Sequence, residues 1–93
     1  MTSQPATFVS RHIAELIDTT LGGDNVVITR YGHSVAQFTS AIPEDNEILW
    51  VSMTSFLATV GRWLTFVKNG SAVVLTRRNR PVVAVVPLAF PTS

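Results

Sequence analysis

VVITRYGHSVAQF, residues 26–38, returns as VVLTRRNRPVVAV, residues 73–85, without a gap and 47 positions later. Val26/Val73, Val27/Val74, Thr29/Thr76, Arg30/Arg77 and Val35/Val82 are identical, and Ile28/Leu75 exchanges one branched aliphatic for another. In each copy a β-branched run meets a short turn and resumes beyond it, the pattern of a hairpin. A statement made twice in 93 residues implies two copies of one supersecondary unit, acting as a pair.

An amphipathic segment precedes each hairpin. Val9, Ile13, Leu16, Ile17 and Thr20 correspond, under the same offset, to Phe56, Val60, Trp63, Leu64 and Val67. That spacing fits one face of a helix. Thr7 or Ser10 is expected to cap the first helix and Ser52 or Thr54 the second. Gly22-Gly23 and Gly70 are expected to stop them through a left-handed residue. In the first copy Asn25 to Arg30 reads as a strand, Tyr31-Gly32-His33 as a turn, and Ser34 to Ala41 as the returning strand. In the second, Ile48 to Val51 is a short strand before the helix, and the hairpin is Ala72–Arg77, turn Arg78-Asn79, Arg80–Leu88. Asn79 stands where Gly32 stood, and these two residues best tolerate the positive φ of a tight turn. Each unit is thus expected to be β-α-β-β, with a helix packed on a hairpin. The expected organisation is a flexible tail over 1–5, a first unit over 6–41, an IPEDNE linker over 42–47, a second unit over 48–88 and a tail over 89–93.

Each copy, near forty residues, is about the size at which a chain rarely folds unaided. There is no cysteine, so neither disulfides nor thiolate-bound metal can staple it. The two units should therefore share a core, with each other or with a second chain. A hydrophobic content of 46% against 14% charged residues fits a packed domain with apolar surface left for association. The longest apolar run, PVVAVVPLAFP, falls short of the ~18 residues of a membrane helix. MTSQPAT lacks the basic start of a signal peptide. The expectation is a cytoplasmic protein with no membrane contact.

Residues 51–88, VSMTSFLATVGRWLTFVKNGSAVVLTRRNRPVVAVVPL, resemble the DNA-binding domain of the Phd/YefM antitoxin family. The residues that carry the resemblance are Val51-Ser52-Met53-Thr54, Leu64, Val67, Gly70, Val74-Leu75-Thr76-Arg77 and Pro81-Val82. A weaker match runs through Ile13, Leu16, Ile17, Gly23, Val27-Ile28-Thr29-Arg30, Gly32 and Val35-Ala36. The resemblance implies an α+β fold in which two tandem units pair their hairpins into a shared sheet with helices against one face. It also implies binding of double-stranded operator DNA and transcriptional repression of a toxin–antitoxin-type operon. Members usually carry one unit, dimerise through it, and neutralise a toxin with a C-terminal tail. This chain carries two units and runs five residues past Leu88, so the resemblance speaks for DNA binding and pairing more than for neutralisation.

Net charge of +1 hides a split. Residues 1–47 hold two basic residues against six acidic ones, net −4, whereas 48–93 hold five basic residues and no acid, net +5. Such asymmetry suits an anionic partner for the basic half, or attraction of the halves within or between chains. Arg77, Arg78 and Arg80 form a compact basic turn, and Arg30 occupies the same Thr-Arg position in the first copy. Arginine's planar fork contacts phosphate or a guanine edge in pairs of bonds. The resemblance implies a further arginine early in the helix; Ser10 and Leu57 stand there instead, with Arg11 beside Ser10 as a substitute. The DNA-binding candidates are therefore Arg77, Arg78, Arg80, Arg30 and Arg11. Arg62 and Lys68 are placed on an exposed helix face, and Trp50, Trp63 and Phe66 in the core or a pairing surface.

His12 and His33 are isolated, and no nucleophile, base and orienting group fall into a pattern. No enzyme activity, metal or cofactor is expected. The rival reading is a protein-interaction module, an antitoxin scaffold without DNA binding whose acidic first half and apolar hairpins hold a partner such as a cognate toxin. Either way the chain is expected to act as an intrachain pseudo-dimer or as a homo-oligomer.

Overall fold

A computed structural model describes residues 2–43 and 47–88. The chain is a small α+β protein whose elements run in order as β1 (Thr2–Pro5), α1 (Ala6–Arg11), α2 (Ile13–Leu21), β2 (Val26–Arg30), β3 (His33–Thr39), β4 (Ile48–Ser52), α3 (Met53–Ala58), α4 (Val60–Lys68), β5 (Ala72–Arg77) and β6 (Arg80–Pro87). The six strands form one mixed sheet in the order β1-β2-β3-β6-β5-β4. Each copy contributes a parallel pair bridged by two helices, and an antiparallel hairpin.

The hairpins meet at the centre, where β3 and β6 pair antiparallel. Phe38 lies opposite Val85, its own counterpart in the repeat. An internal two-fold axis therefore passes between them. Even the irregularity repeats: the ladder shifts between Ile28 and Thr29 in one hairpin and between Leu75 and Thr76 in the other.

Alternation along the strands sends Val26, Ile28, Ala36, Phe38, Val73, Leu75, Val83 and Val85 to one face, where they form a single core with Val9, Leu16, Ile17, Phe56, Val60, Leu64 and Val67 of the helices. Thr20 takes the buried slot that Val67 fills in the second copy. Its hydroxyl donates to the Leu16 carbonyl at 2.9 Å, so the polar atom is satisfied within its own helix. Trp63 packs against the edge of this core, its Nε1 donating to the Ser55 carbonyl at 3.1 Å and its ring tilted against Phe66.

Several expectations need correcting. Residues 2–5 are a strand, not a tail: β1 pairs in parallel with β2 from Thr2↔Val26 to Pro5↔Thr29. TSQP has no apolar alternation to announce it, and main-chain pairing recruits it. Its start is anchored by the Thr2 N–H to the Asn25 carbonyl and by the Thr2 hydroxyl to Asp24, a bond that holds the Asp24 carboxyl below the usual carboxylate range.

Each single helix is also two, broken at His12 and at Thr59, the same place in both copies. No proline or glycine stands at either break, so local sequence does not mark it. Neither Thr7 nor Ser10 caps the first helix: Pro5 holds that position without a side-chain bond, and Ser10 donates back to the Thr7 carbonyl. Ser52 does cap the second, accepting from the Ser55 N–H at 3.2 Å. Gly23 and Gly70, at φ +97 and +108, close the second helix of each copy. The linker's residues 44–46 and the tail 89–93 lie outside the described residues.

Candidate functional site

The second hairpin turn is built on Arg78 and Asn79, both at positive φ, +53 and +64. Two consecutive left-handed residues give the turn whose twist matches the flanking strands. The tight turn brings Arg77, level with Arg80, together with Arg78 around an open cleft of about 600 Å³ lined by these three side chains. All are exposed, and none has a side-chain hydrogen bond or ion pair to another described residue. Three guanidinium groups at one tip repel one another, and a nearby anion would relieve that repulsion.

The first hairpin turn, Tyr31-Gly32, has the same left-handed backbone and different chemistry. Arg30 is half-buried, because its guanidinium turns inward across the internal axis. Nη1 donates to the Gly61 carbonyl at 3.2 Å and to the Thr65 hydroxyl at 3.1 Å, both on α4 of the other copy. A Cβ at Gly61 would stand 3.2 Å from Arg30 Nη2, so the glycine provides the room for this approach. Arg30 is thus a tie between the copies and not a free cation. Tyr31 is 90% exposed beneath its guanidinium, 5.8 Å from ring centre to Cζ.

Arg11 sits elsewhere again. It lies at the end of α1 in a shallow hollow with Pro5, Thr7, Phe8 and His12. Pro5 and Thr7 also border the hollow at Arg30 and Tyr31, so Arg11 belongs to the first hairpin's end of the molecule. The five arginines read from the sequence therefore divide into a cluster of three, one internal tie and one isolated helix-end residue. Phe8 stacks on His12 at 4.3 Å between ring centroids, beside Arg11. Among the described residues no group of three His, Asp or Glu side chains converges on a metal-sized site.

The internal axis places the two hairpin tips at opposite ends of the strands. Arg30 lies two residues past Ile28, Thr39 is level with Val74 three steps below Ala36, and Arg77 lies three beyond Val74. Those eight steps amount to ~27 Å along the strands.

Trp50, expected in the core or on a pairing surface, lies outside the core: it is 59% exposed, and the alternation of β4 sets it on the sheet face away from the helices. No protein-family model, curated protein or solved structure matches the chain. No helix among the described residues is long and apolar enough to cross a membrane.

Proposed function

We propose that the chain is an antitoxin-like DNA-binding protein that represses transcription from an operator, and that its second hairpin turn makes the principal contact. The observation that carries this reading is the cluster of Arg77, Arg78 and Arg80 on one exposed tip with no acidic partner among the described residues. Support comes from the sequence resemblance to Phd/YefM domains and from the pairing of two hairpins into a shared sheet, the arrangement that resemblance implies. The tips, ~27 Å apart along the strands, approach the ~34 Å spacing of successive major grooves. With Arg30 engaged on α4, the contact is one-sided: the basic tip grips phosphates and the opposite end offers Arg11.

The test is gel retardation of the promoter region upstream of the coding sequence, over a range of salt. The native chain is expected to retard it, and each phosphate contact contributes about 0.9 to the salt slope. Arg77→Ala/Arg78→Ala/Arg80→Ala is expected to lower that slope by roughly 2 to 3 and abolish retardation at moderate salt. A native chain that leaves the promoter unretarded at low salt sinks the proposal.

A second reading, the partner-binding scaffold without DNA binding, draws on one specific observation. The Thr-Arg arginine of the first copy is spent on internal bonds, and its turn carries the exposed Tyr31 in place of a cation. Co-purification with a neighbouring gene product that survives the triple arginine variant would favour it.

A further inference from the structure

The strand order leaves the sheet with two outer edges, β1 and β4. Exposed edges invite pairing with another chain, and proteins blunt them with proline, charge, bulges or cover. β1 is blunted: TSQP is short, polar and ends in proline. β4 is not. ILWVS has no charge and no proline, and its pairing with β5 is regular throughout.

The direction of its free main-chain groups is fixed by the pairing on its inner side. The Ala72 N–H donates to the Glu47 carbonyl at 2.8 Å, with Ile48 level with Ala72. Main-chain groups alternate sides along a strand, so Glu47, Leu49 and Val51 turn to β5. Ile48, Trp50 and Ser52 turn outward. Trp50 stands at the middle of that free edge and is the largest exposed apolar side chain on it.

We propose that two copies of this chain join along the outer edge of β4, antiparallel about Trp50, so that two six-stranded sheets become one continuous sheet. In that register the outward N–H and C=O of Trp50 exchange two hydrogen bonds with their equivalents. Ile48 of each copy then faces Ser52 of the other, and the two indoles meet on the helix-free face as a cross-strand pair. An isologous contact of this kind closes on itself as a dimer, whereas β4 joined to β1 of the next copy would propagate an open array.

Charge selects the same partner and the same direction. Glu47 is exposed at the start of β4, preceded in sequence by Glu44 and Asp45. Ser52, at the other end, is level with Thr76, and Arg77, Arg78 and Arg80 follow at once. Antiparallel pairing sets the acidic end of each β4 beside the basic turn of the other copy, twice. Parallel pairing would set acid against acid.

This inference stands apart from the DNA reading and is tested without nucleic acid. Sedimentation equilibrium of the native chain is expected to give twice the 10.1 kDa monomer mass at micromolar concentration, with the dimer weakening as salt rises. Trp50→Lys sets two cations against each other at the axis and leaves the inner hydrogen bonds to β5 in place. It should weaken association by more than about tenfold with an unchanged circular dichroism spectrum. Trp50→Phe keeps the aromatic pair and should keep the dimer. The Trp50 amide of the native chain should exchange more slowly as protein concentration rises. A native chain that stays monomeric at high micromolar concentration overturns the proposal, and so does a folded Trp50→Lys variant that dimerises as tightly as the native chain.

Discussion

Arg30 and Arg77 occupy the same position in the two copies, yet the first is bonded to a helix of the other copy and the second is exposed, with no side-chain bond to another described residue. The residues they would meet also differ. Gly61 and Thr65 of α4 correspond to Ala14 and Asp18 of α2. At Gly61 the absent Cβ leaves the carbonyl open to a guanidinium, whereas Ala14 carries a methyl group on the equivalent surface. Gly61→Ala is expected to push Arg30 off the helix. Losing its two hydrogen bonds costs about 1 kcal/mol each, and replacing glycine by alanine in a helix returns about 1 kcal/mol. Stability in urea should stay within ~1 kcal/mol of the native chain while the released cation steepens the salt slope of DNA binding by about 0.9. A large loss of stability, or an unchanged slope in a chain that binds DNA, contradicts this account.

Turns and helix ends show the two copies solving one backbone problem with different residues. Both hairpin turns need positive φ; the second uses Arg78 and Asn79, the first Tyr31 and Gly32. A bulky residue held at φ +52 is strained, and Tyr31 is 90% exposed, so little packing offsets it. Tyr31→Asn is expected to raise stability by about 0.5–1 kcal/mol, read as a higher midpoint in thermal unfolding. The hairpins and the glycine stops were legible in the sequence because their signals are local: β-branched runs, Gly and Asn at left-handed positions, and an inward face on a helical period. β1 was not legible, since TSQP becomes a strand only by pairing with residues 24 positions away. The breaks at His12 and Thr59 were hidden too, because these two residues share no breaker chemistry. Among the candidate arginines, Arg77, Arg78 and Arg80 fall within four consecutive residues, so their clustering was readable. The tie made by Arg30 spans 31 and 35 residues and depends on a glycine that looked like an ordinary helix position.

In the whole molecule the β3–β6 seam and the shared core make the two copies one cooperative body. Phe38 and Val85, the pair on the internal axis, are both fully buried, and the core draws on helices from both halves. Phe38→Ala should cost about 3–5 kcal/mol through the cavity it leaves. The loss should appear equally in tryptophan fluorescence, although Trp50 and Trp63 both belong to the second copy, and in far-ultraviolet circular dichroism. Two separated transitions would mean that the copies unfold independently.

The covalent link between the copies changes how such a pair answers to its own abundance. The two copies are joined through the eight residues between Thr39 at the end of β3 and Ile48 at the start of β4, and a short tether holds its ends at an effective concentration in the millimolar range. Dilution does not part them, and neither half exchanges with a related chain in the same cell. A protein assembled from separate single-unit chains loses its active form as the square of its concentration at low abundance. Here the paired form falls only in proportion, so the β3–β6 pair is complete in every molecule from the moment it folds.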